Sequence, residues 1–149
     1  IKRCPVSTVK ACLSQKPQRI ISVSSSDSVH QVLQLMKENR VRAVLVIDQG
    51  KLAGIVSQGD CAIRTLLPGL DAKATPVSHI MTANPTTVKP GDPMELCMGI
   101  MASRGIRHLP VVAQDQVMGV ISIGDVVKKM MSDLSEHVSF LETYIKGHD

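Results

Sequence analysis

The chain has 149 residues with a formal net charge of +4; 44% of the residues are hydrophobic and 20% charged, which is typical of a globular protein and argues against a disordered or fibrous one. No run approaches the roughly 18 apolar residues of a membrane-spanning helix, and the N-terminus has no signal-peptide core, so we expect a cytoplasmic protein that does not enter membranes. The charge favours a small anionic ligand, whereas a single Phe and a single Tyr argue against a stacking platform for nucleic acid.

The first half of the chain predicts a short lead-in helix followed by a β-α-β-β-α unit. Asp27 follows the polar run Ser24-Ser25-Ser26, and we expect it to cap the first long helix. Apolar residues at helical or strand spacing define the elements. In chain order they are a helix within 1–19 that ends before Pro17, a strand at 19–23, a helix at 28–39, strands at 43–48 and 52–57, and a helix from Asp60 through Leu66.

The second half repeats this order after a linker from Leu67 to Thr75. A lead-in turn is expected at Val77 to Met81, and Asp92 is expected to cap the next helix, with Pro93 in its first turn and Glu95 completing a capping box. Gly105 suits a left-handed helix end. The remaining elements are strands at 108–113 and 117–122 and a long helix after Asp125.

The two halves are copies of one unit. The stretch Gly54-Ile55-Val56-Ser57-Gln58-Gly59-Asp60 recurs as Gly119-Val120-Ile121-Ser122-Ile123-Gly124-Asp125, an offset of 119 − 54 = 65. In each copy an apolar run ends in Ser and reaches Asp three residues later, at the start of a helix. This spacing predicts a strand that passes directly into a helix N-terminus.

The last helix carries an apolar stripe that outlasts the repeat. We expect this stripe to cover the other copy or a second chain. A second stripe, at Met94, Met98 and Met101, favours a core or subunit interface over a cofactor site. The members of the long stripe are Val127, Met130, Met131, Leu134, Val138, Leu141 and Ile145.

The repeated Gly-h-h-Ser-x-x-Asp pattern, where h is apolar, and the segment Arg107-His108-Leu109-Pro110-Val111-Val112 resemble a tandem CBS-domain pair, or Bateman module. The resemblance implies an α/β (α+β) fold of two pseudo-symmetric β-α-β-β-α repeats packed sheet to sheet. It also implies a regulatory homodimer that binds an adenosine-containing ligand between the repeats and acts on a partner protein. The expected division is an N-terminal lead-in at 1–19, repeats at 20–66 and 85–131, a linker and lead-in helix at 67–84, and a C-terminal helix at 132–149.

Each candidate site residue also has a purely structural explanation. The Ser-x-x-Asp pairs form capping boxes, and the resemblance adds that their carboxylates bind ribose hydroxyls. Matched arginines that flank strands are usually solvated, but here they suit phosphate, as do a neighbouring His and Lys. The resemblance places the strand segments Ser22-Val23 and Thr87-Val88 beside adenine. The full candidate set is Ser22, Val23, Arg42, Ser57, Asp60, Thr87, Val88, Arg107, His108, Leu109, Pro110, Ser122, Asp125 and Lys128.

Several alternatives remain open. Ser122, Asp125 and His108 could be taken for a catalytic triad, but no nucleophile-elbow pattern accompanies them, so we expect no enzyme and no catalytic cofactor. Cysteines and histidines lack metal-ligand spacing, which predicts no metal site and reduced, buried thiols. The positive charge favours AMP, ADP, ATP or NAD over S-adenosylmethionine. The same fold could also serve as a scaffold that binds no ligand. Gly59 and Gly124 slightly favour this alternative.

Overall fold

The computed structural model describes residues 7–14 and 19–146, without the side chains of residues 137, 139, 140 and 143–146. A helix at Gln58–Cys61 continues directly into a π-helical turn at Ala62–Leu66, and a 3-10 turn at Val77–His79 precedes a short strand at Thr82–Ala83. The elements are α1 (Val9–Ser14), β1 (Ser22–Val23), α2 (Val29–Asn39), β2 (Ala43–Asp48), β3 (Lys51–Ser57), α3 (Gln58–Cys61), β4 (Thr82–Ala83), α4 (Met94–Arg104), β5 (His108–Ala113), β6 (Gln116–Ser122) and α5 (Ile123–Lys146).

The predicted duplication is confirmed by the strand pairing. The first repeat forms a sheet in the order β1-β2-β3-β4, with β1 parallel to β2 and the other pairs antiparallel. In the second repeat β5 pairs with β6 in the equivalent register, and a parallel bridge from Val88 to Val111 matches the pairing of Val23 with Val46. The strand β1 is shorter than predicted, because only Ser22 and Val23 of the 19–23 run pair with β2.

The two sheets pack against each other, with β3 in contact with β6. Leu45 and Leu109, in the middle of their strands, are fully buried. This explains the nearly continuous apolar runs of β2 and β5, since strands covered on both faces do not alternate between polar and apolar residues. The fold is therefore the mixed α and β architecture that the sequence predicts.

Each lead-in segment packs on the other repeat, contrary to the expectation that it begins its own. Val9, Cys12 and Leu13 of α1 lie in the core of the second repeat, whereas Val77 and Ile80 lie in the core of the first. The backbone bonds are equivalent as well. Val9 N donates to Asp92 O (2.9 Å) and Val77 N donates to Asp27 O (2.7 Å).

The exchanged segments follow a different offset from the repeats themselves. The equivalent pair Val9 and Val77 gives 77 − 9 = 68, against 65 for the strands and long helices. The Gly of the repeated motif makes room for the incoming segment. A Cβ at Gly54 would lie 2.7 Å from the carbonyl oxygen of Thr82, and one at Gly119 would lie 3.2 Å from a methyl carbon of Leu13. The motif glycine therefore serves the exchange.

The predicted caps of the two long helices are wrong by one residue. The helix α2 is capped by Ser28, whose hydroxyl accepts from Gln31 N while Gln31 Oε1 accepts from Ser28 N. The carboxylate of Asp27 instead accepts from Ser24 N (2.9 Å) and closes the preceding turn. Asp92 likewise accepts from Lys89 N (2.8 Å), and α4 begins after Pro93 without a side-chain cap. The left-handed end at Gly105 is confirmed.

The stripe of α5 does not cover the first repeat, which rules out one of the two predicted roles. Its side chains from Val127 to Leu141 remain exposed, while the opposite face of α5 contacts α4, α1 and β6. The side chain of Ile145 lies outside the described part of the helix. In the methionine stripe, Met94 and Met101 are buried in the core, whereas Met98 is exposed.

Candidate functional site

Both Ser-x-x-Asp pairs form reciprocal capping boxes where a strand becomes a helix. Ser122 N donates to Asp125 Oδ2 (2.9 Å), and Asp125 N donates to Ser122 Oγ (3.1 Å). The first repeat has the same two bonds between Ser57 and Asp60, at 3.0 and 3.1 Å. Each carboxylate is half-buried and fixed at a helix N-terminus, where the helix dipole favours negative charge. The helices begin at Gln58 and Ile123 rather than at the aspartates.

The matched arginines lie at the same junctions. The carbonyl of Arg107 accepts from Ile123 N (2.8 Å), and that of Arg42 accepts from Gln58 N (3.0 Å). Both arginine side chains are exposed. His108 pairs with Ser122 across the β-ladder and is half-buried. The structure thus brings Arg107, His108, Ser122 and Asp125 to one end of the β5–β6 hairpin, and Arg42, Ser57 and Asp60 to the equivalent end of β2–β3.

The segments expected beside adenine, Ser22-Val23 and Thr87-Val88, lie one strand further across each sheet. Ser22 is paired with Leu45, and Val88 N donates to the carbonyl of Pro110 (3.0 Å). Ser22 and Thr87 expose their side chains, whereas Val23, Val88, Leu109 and Pro110 are buried. The side chains of the buried members therefore pack in the core, and only their backbone could take part in a site. Lys128, one helical turn after Asp125, is exposed.

An open hollow of about 340 Å³ lies beside β1 in the first repeat, at the small end of the usual range for ligand sites. Only Ser22 of the candidate residues lines it. Arg19 donates to Asn39 Oδ1 (2.8 Å) across this surface. Sequence reasoning missed the other lining residues, because only the folded chain shows that the apolar Ile20 is exposed. They are Arg19, Ile20, Ile21, Leu35 and Asn39.

The surroundings of the two boxes differ. Arg64 Nε lies 3.9 Å from Asp60 Oδ1, while the equivalent Lys129 (64 + 65 = 129) forms an ion pair with Asp133 at 3.1 Å. In the second repeat the Cys12 thiol of the exchanged α1 donates to the carbonyl of Asp125 (3.6 Å). The boxes therefore share their internal geometry but have different charged neighbours.

Two of the buried thiols are poor nucleophiles. Burial raises the pKa of Cys61 to about 11, and the adjacent Asp60 carboxylate adds to the effect. Burial also raises the pKa of Cys97, so both thiols stay protonated at neutral pH. Cys12, Cys61 and Cys97 are buried, as expected, whereas Cys4 lies outside the described residues.

Within the described ranges, 7–14 and 19–146, no three His, Cys, Asp or Glu residues cluster in a way that could hold a metal ion. In the same part of the chain no helix combines the length and apolar character needed to span a bilayer.

Comparison with known proteins identifies the family. The CBS domain model matches residues 15–64 and again residues 77–132, which together span most of the chain. The chain belongs to the CBS-domain family. It is 33% identical over 117 residues to the CBS domain-containing protein YhcV of Bacillus subtilis, which covers 78% of this chain and 83% of YhcV. Longer relatives from Arabidopsis thaliana match over only 20% of their length.

Solved CBS-domain structures have the same fold. A protein with CBS domains from Burkholderia ambifaria is 38% identical, with a TM-score of 0.82 over 85% of this chain and 96% of its own. The CBS domain protein PAE2072 from Pyrobaculum aerophilum, solved with AMP, is 25% identical, with a TM-score of 0.72 over 80% and 89%. The CBS domain pair of protein MJ0100, solved with 5-methylthioadenosine and S-adenosyl-L-methionine, is 25% identical, with a TM-score of 0.74 over 86% and 98%. CBS pairs of this fold therefore include ones that bind adenosine-type ligands.

Proposed function

We propose that this CBS pair is a homodimeric regulatory module that binds AMP, ADP, ATP or NAD between its repeats and transmits the signal to a partner protein. The observation that carries the proposal is the duplicated box, which holds the carboxylates of Asp60 and Asp125 in the same orientation at two helix N-termini. A fixed carboxylate can accept hydrogen bonds from both ribose hydroxyls, a feature that every adenosine ligand shares. The AMP-bound relative PAE2072 supports this choice.

The exposed arginines support a phosphorylated ligand. Arg42 and Arg107 lie at the same strand ends as the boxes, and a guanidinium can bind phosphate through two parallel hydrogen bonds. His108 adds a ring nitrogen in the second repeat only, because Ala43 takes its place in the first. We therefore place the main phosphate contacts in the second repeat.

Two other functions have a specific observation in their favour. The complex of MJ0100 with S-adenosyl-L-methionine favours a sensor for that ligand. A dimerisation scaffold without ligand is favoured by the capping bonds themselves, since they already explain why Ser and Asp stand at both junctions. All three functions are non-catalytic.

The deciding experiment is a thermal-shift screen against AMP, ADP, ATP, NAD, NADH and S-adenosylmethionine. A ligand at 100 times its dissociation constant adds about 2.7 kcal/mol to the free energy of unfolding, which raises the melting temperature by about 5–10 °C for a chain of this size. We expect a shift that disappears in Asp60→Ala or Asp125→Ala and so identifies the occupied cleft. If no ligand raises the melting temperature, the ligand proposal is refuted and the dimerisation scaffold becomes the supported function.

Arg107→Ala separates phosphate recognition from adenosine recognition. The variant should lose affinity for AMP, ADP and ATP in order of phosphate charge and keep its affinity for adenosine, because the guanidinium acts only on the phosphates. Equal losses for adenosine and ATP would contradict the assigned role.

A further inference from the structure

The stretch of chain that joins the two repeats is bound by a side chain of the first repeat. This stretch, residues 77–83, comprises the 3-10 turn and β4, packs in the core of the first repeat and continues directly into the second; we call it the joining segment. The guanidinium of Arg64 donates to the carbonyl oxygens of Ile80 (3.1 Å) and Met81 (3.5 Å). Arg64 therefore connects the helical turn that follows the first box to the joining segment.

The same guanidinium faces the first box. Arg64 Nε lies 3.9 Å from Asp60 Oδ1, which is the carboxylate oxygen outside the capping bond, because Ser57 N donates to Oδ2. The side chain of Asp60 is 20% exposed and that of Arg64 is 51% exposed, so a ligand can reach both. A ribose hydroxyl that binds Asp60 Oδ1 would lie next to the cation that holds the joining segment.

The equivalent cation of the second repeat has a different partner. Lys129 (64 + 65 = 129) pairs with Asp133 at 3.1 Å, and Asp133 also accepts from Ser7, which precedes α1. At the position of Asp133 the first repeat has Pro68 (68 + 65 = 133), which offers no carboxylate. This difference explains why Arg64 turns back towards the box and the joining segment while Lys129 turns the other way.

The turn that carries Arg64 has an unusual geometry. Residues Ala62–Leu66 are π-helical, and Leu67 N donates five residues back to Ala62 O (2.9 Å), whereas α5 is α-helical at the equivalent positions. The hydroxyl of Thr65 is buried (3% exposed) and has no hydrogen-bond partner among the residues that the structure describes. Such a hydroxyl destabilises the fold, and π-helical turns occur often at functional sites. Both observations favour a role for this turn in the site.

We infer that Arg64 couples occupancy of the first cleft to the joining segment, so that a nucleotide bound at Asp60 loosens the segment from the first repeat. This inference rests on the ligand function proposed above and specifies how that site transmits its signal. A ribose hydroxyl on Asp60 Oδ1 takes the group that orients the guanidinium. A nearby phosphate attracts the guanidinium itself, because hydrogen bonds between two charged groups are stronger than those to a neutral carbonyl.

Movement of the joining segment reaches both repeats. Its strand β4 pairs with β3, the strand that ends in the first box, and a Cβ at Gly54 of β3 would lie only 2.7 Å from Thr82 O. In the other direction the chain reaches Val88, which forms a bridge with Val111 of β5. The segment is thus in close contact with one repeat and continuous with a candidate ligand-binding strand of the other.

Hydrogen exchange of residues 77–83, measured by mass spectrometry, tests the role of Arg64 without any ligand. The amides of this segment are hydrogen-bonded, for example Val77 N to Asp27 O (2.7 Å) and Met81 N to Val77 O (2.9 Å). Arg64→Met keeps the apolar part of the side chain and removes the donors. It should accelerate exchange in the segment by about 3- to 10-fold, as the loss of hydrogen bonds from a half-exposed charged group implies.

Two variants serve as controls for this measurement. Lys129→Met makes the same change at the equivalent position and should leave exchange at 77–83 unchanged, because Lys129 is bound to Asp133. Arg64→Lys keeps a charged donor and should retain most of the protection. Equal exchange at 77–83 in Arg64→Met and in the wild type would overturn the inference.

A double-mutant cycle tests the link between Arg64 and the box. Asp60→Asn can keep the capping bond but removes the charge that faces Arg64, so it should accelerate exchange at 77–83 by about 2- to 3-fold. In an Arg64→Met background the same substitution should have no further effect on the segment, because the cation through which it acts is gone. An equally large effect in both backgrounds would contradict the coupling.

The response to ligand is tested with AMP, ADP, ATP or NAD, whichever raises the melting temperature in the screen above. The bound nucleotide should slow exchange in the body of the first repeat, such as 43–57, but accelerate it at 77–83. In Arg64→Met the nucleotide should still raise the melting temperature and no longer accelerate exchange in the segment.

The inference and the ligand proposal fail separately. A melting-temperature shift with unchanged or slower exchange at 77–83 in the wild type would overturn the inference and support the ligand site. If none of the four nucleotides raises the melting temperature, the ligand proposal fails and with it the response to occupancy. The double-mutant cycle then still shows whether Arg64 links the first box to the joining segment.

Discussion

Replacing the aspartates of the two boxes separates capping from ligand recognition. Without ligand, Asp125→Ala removes one bond to Ser122 N (2.9 Å) and a negative charge at a helix N-terminus. The bond contributes about 1 kcal/mol and the charge about 0.3–1 kcal/mol, so the free energy of unfolding should fall by about 1–2 kcal/mol and the melting temperature by about 3–6 °C. Asp60→Ala should cost about the same, since its bond to Ser57 N has nearly the same length (3.0 Å) and the exposed Arg64, 3.9 Å from Asp60 Oδ1, contributes little.

Asp125→Asn is the matched variant for this prediction. The amide oxygen can still accept from Ser122 N, so only the charge at the helix N-terminus is lost and the melting temperature should fall by about 1–3 °C. The same variant should abolish a nucleotide-dependent shift if this cleft is the occupied one, because an amide offers one acceptor where the carboxylate offers two. Calorimetry with and without nucleotide measures both effects. Loss of more than about 3 kcal/mol in one aspartate variant, with none in the other, would refute the equivalence of the boxes.

Three other predictions concern the core, the thiols and an ion pair. Val9→Ala should lower the free energy of unfolding by about 2 kcal/mol, because Val9 is fully buried in the opposite repeat. Urea unfolding measures this loss against the control Lys10→Ala, which changes the exposed neighbour. Equal losses in the two variants would contradict the exchange. Iodoacetamide at pH 8 should label Cys61, whose pKa is raised to about 11, far more slowly in the native protein than in urea, and equal rates by mass spectrometry would show that the thiol is accessible. The hydrogen bond from Ser7 lowers the pKa of Asp133. This carboxylate therefore stabilises the fold at pH values above the ordinary aspartate pKa of about 3.9, and the contribution is lost as the pH falls through the lower pKa of the folded state. Asp133→Asn should make the melting temperature depend less on pH between about pH 5 and 3, and an unchanged pH dependence would exclude this role.

The sequence was sufficient for features that depend on local pattern. The boxes at Ser57 and Ser122 and the left-handed end at Gly105 arise from residues within a few positions of each other, and the offset of 65 comes from comparing the two motifs directly. The caps of α2 and α4 were harder, because Asp27 and Asp92 are good caps in isolation but bond to the preceding turn instead. Local propensity does not decide between two partners that are equally close in the chain.

The destination of the lead-in segments could not be predicted in this way. Val9 bonds to Asp92, 83 residues away (92 − 9 = 83), and no periodicity in the sequence records that contact. The candidate site shows the same limit. The arrangement of Arg107 and Asp125 at one end of a hairpin follows from pattern, whereas the hollow beside Ser22 depends on how Arg19 and Asn39 meet after folding.

The exchange of lead-in segments also determines how the chain can be divided. Each half carries the piece that completes the core of the other, so a cut at the exposed Pro68-Gly69 would give two fragments that each lack part of their own interior and hold part of their neighbour's. Such fragments should be poorly folded alone and should recover their structure when mixed. The pair of repeats is thus one cooperative folding unit. The chain can be cut without loss of core contacts only outside the duplicated segment, and not between its two copies.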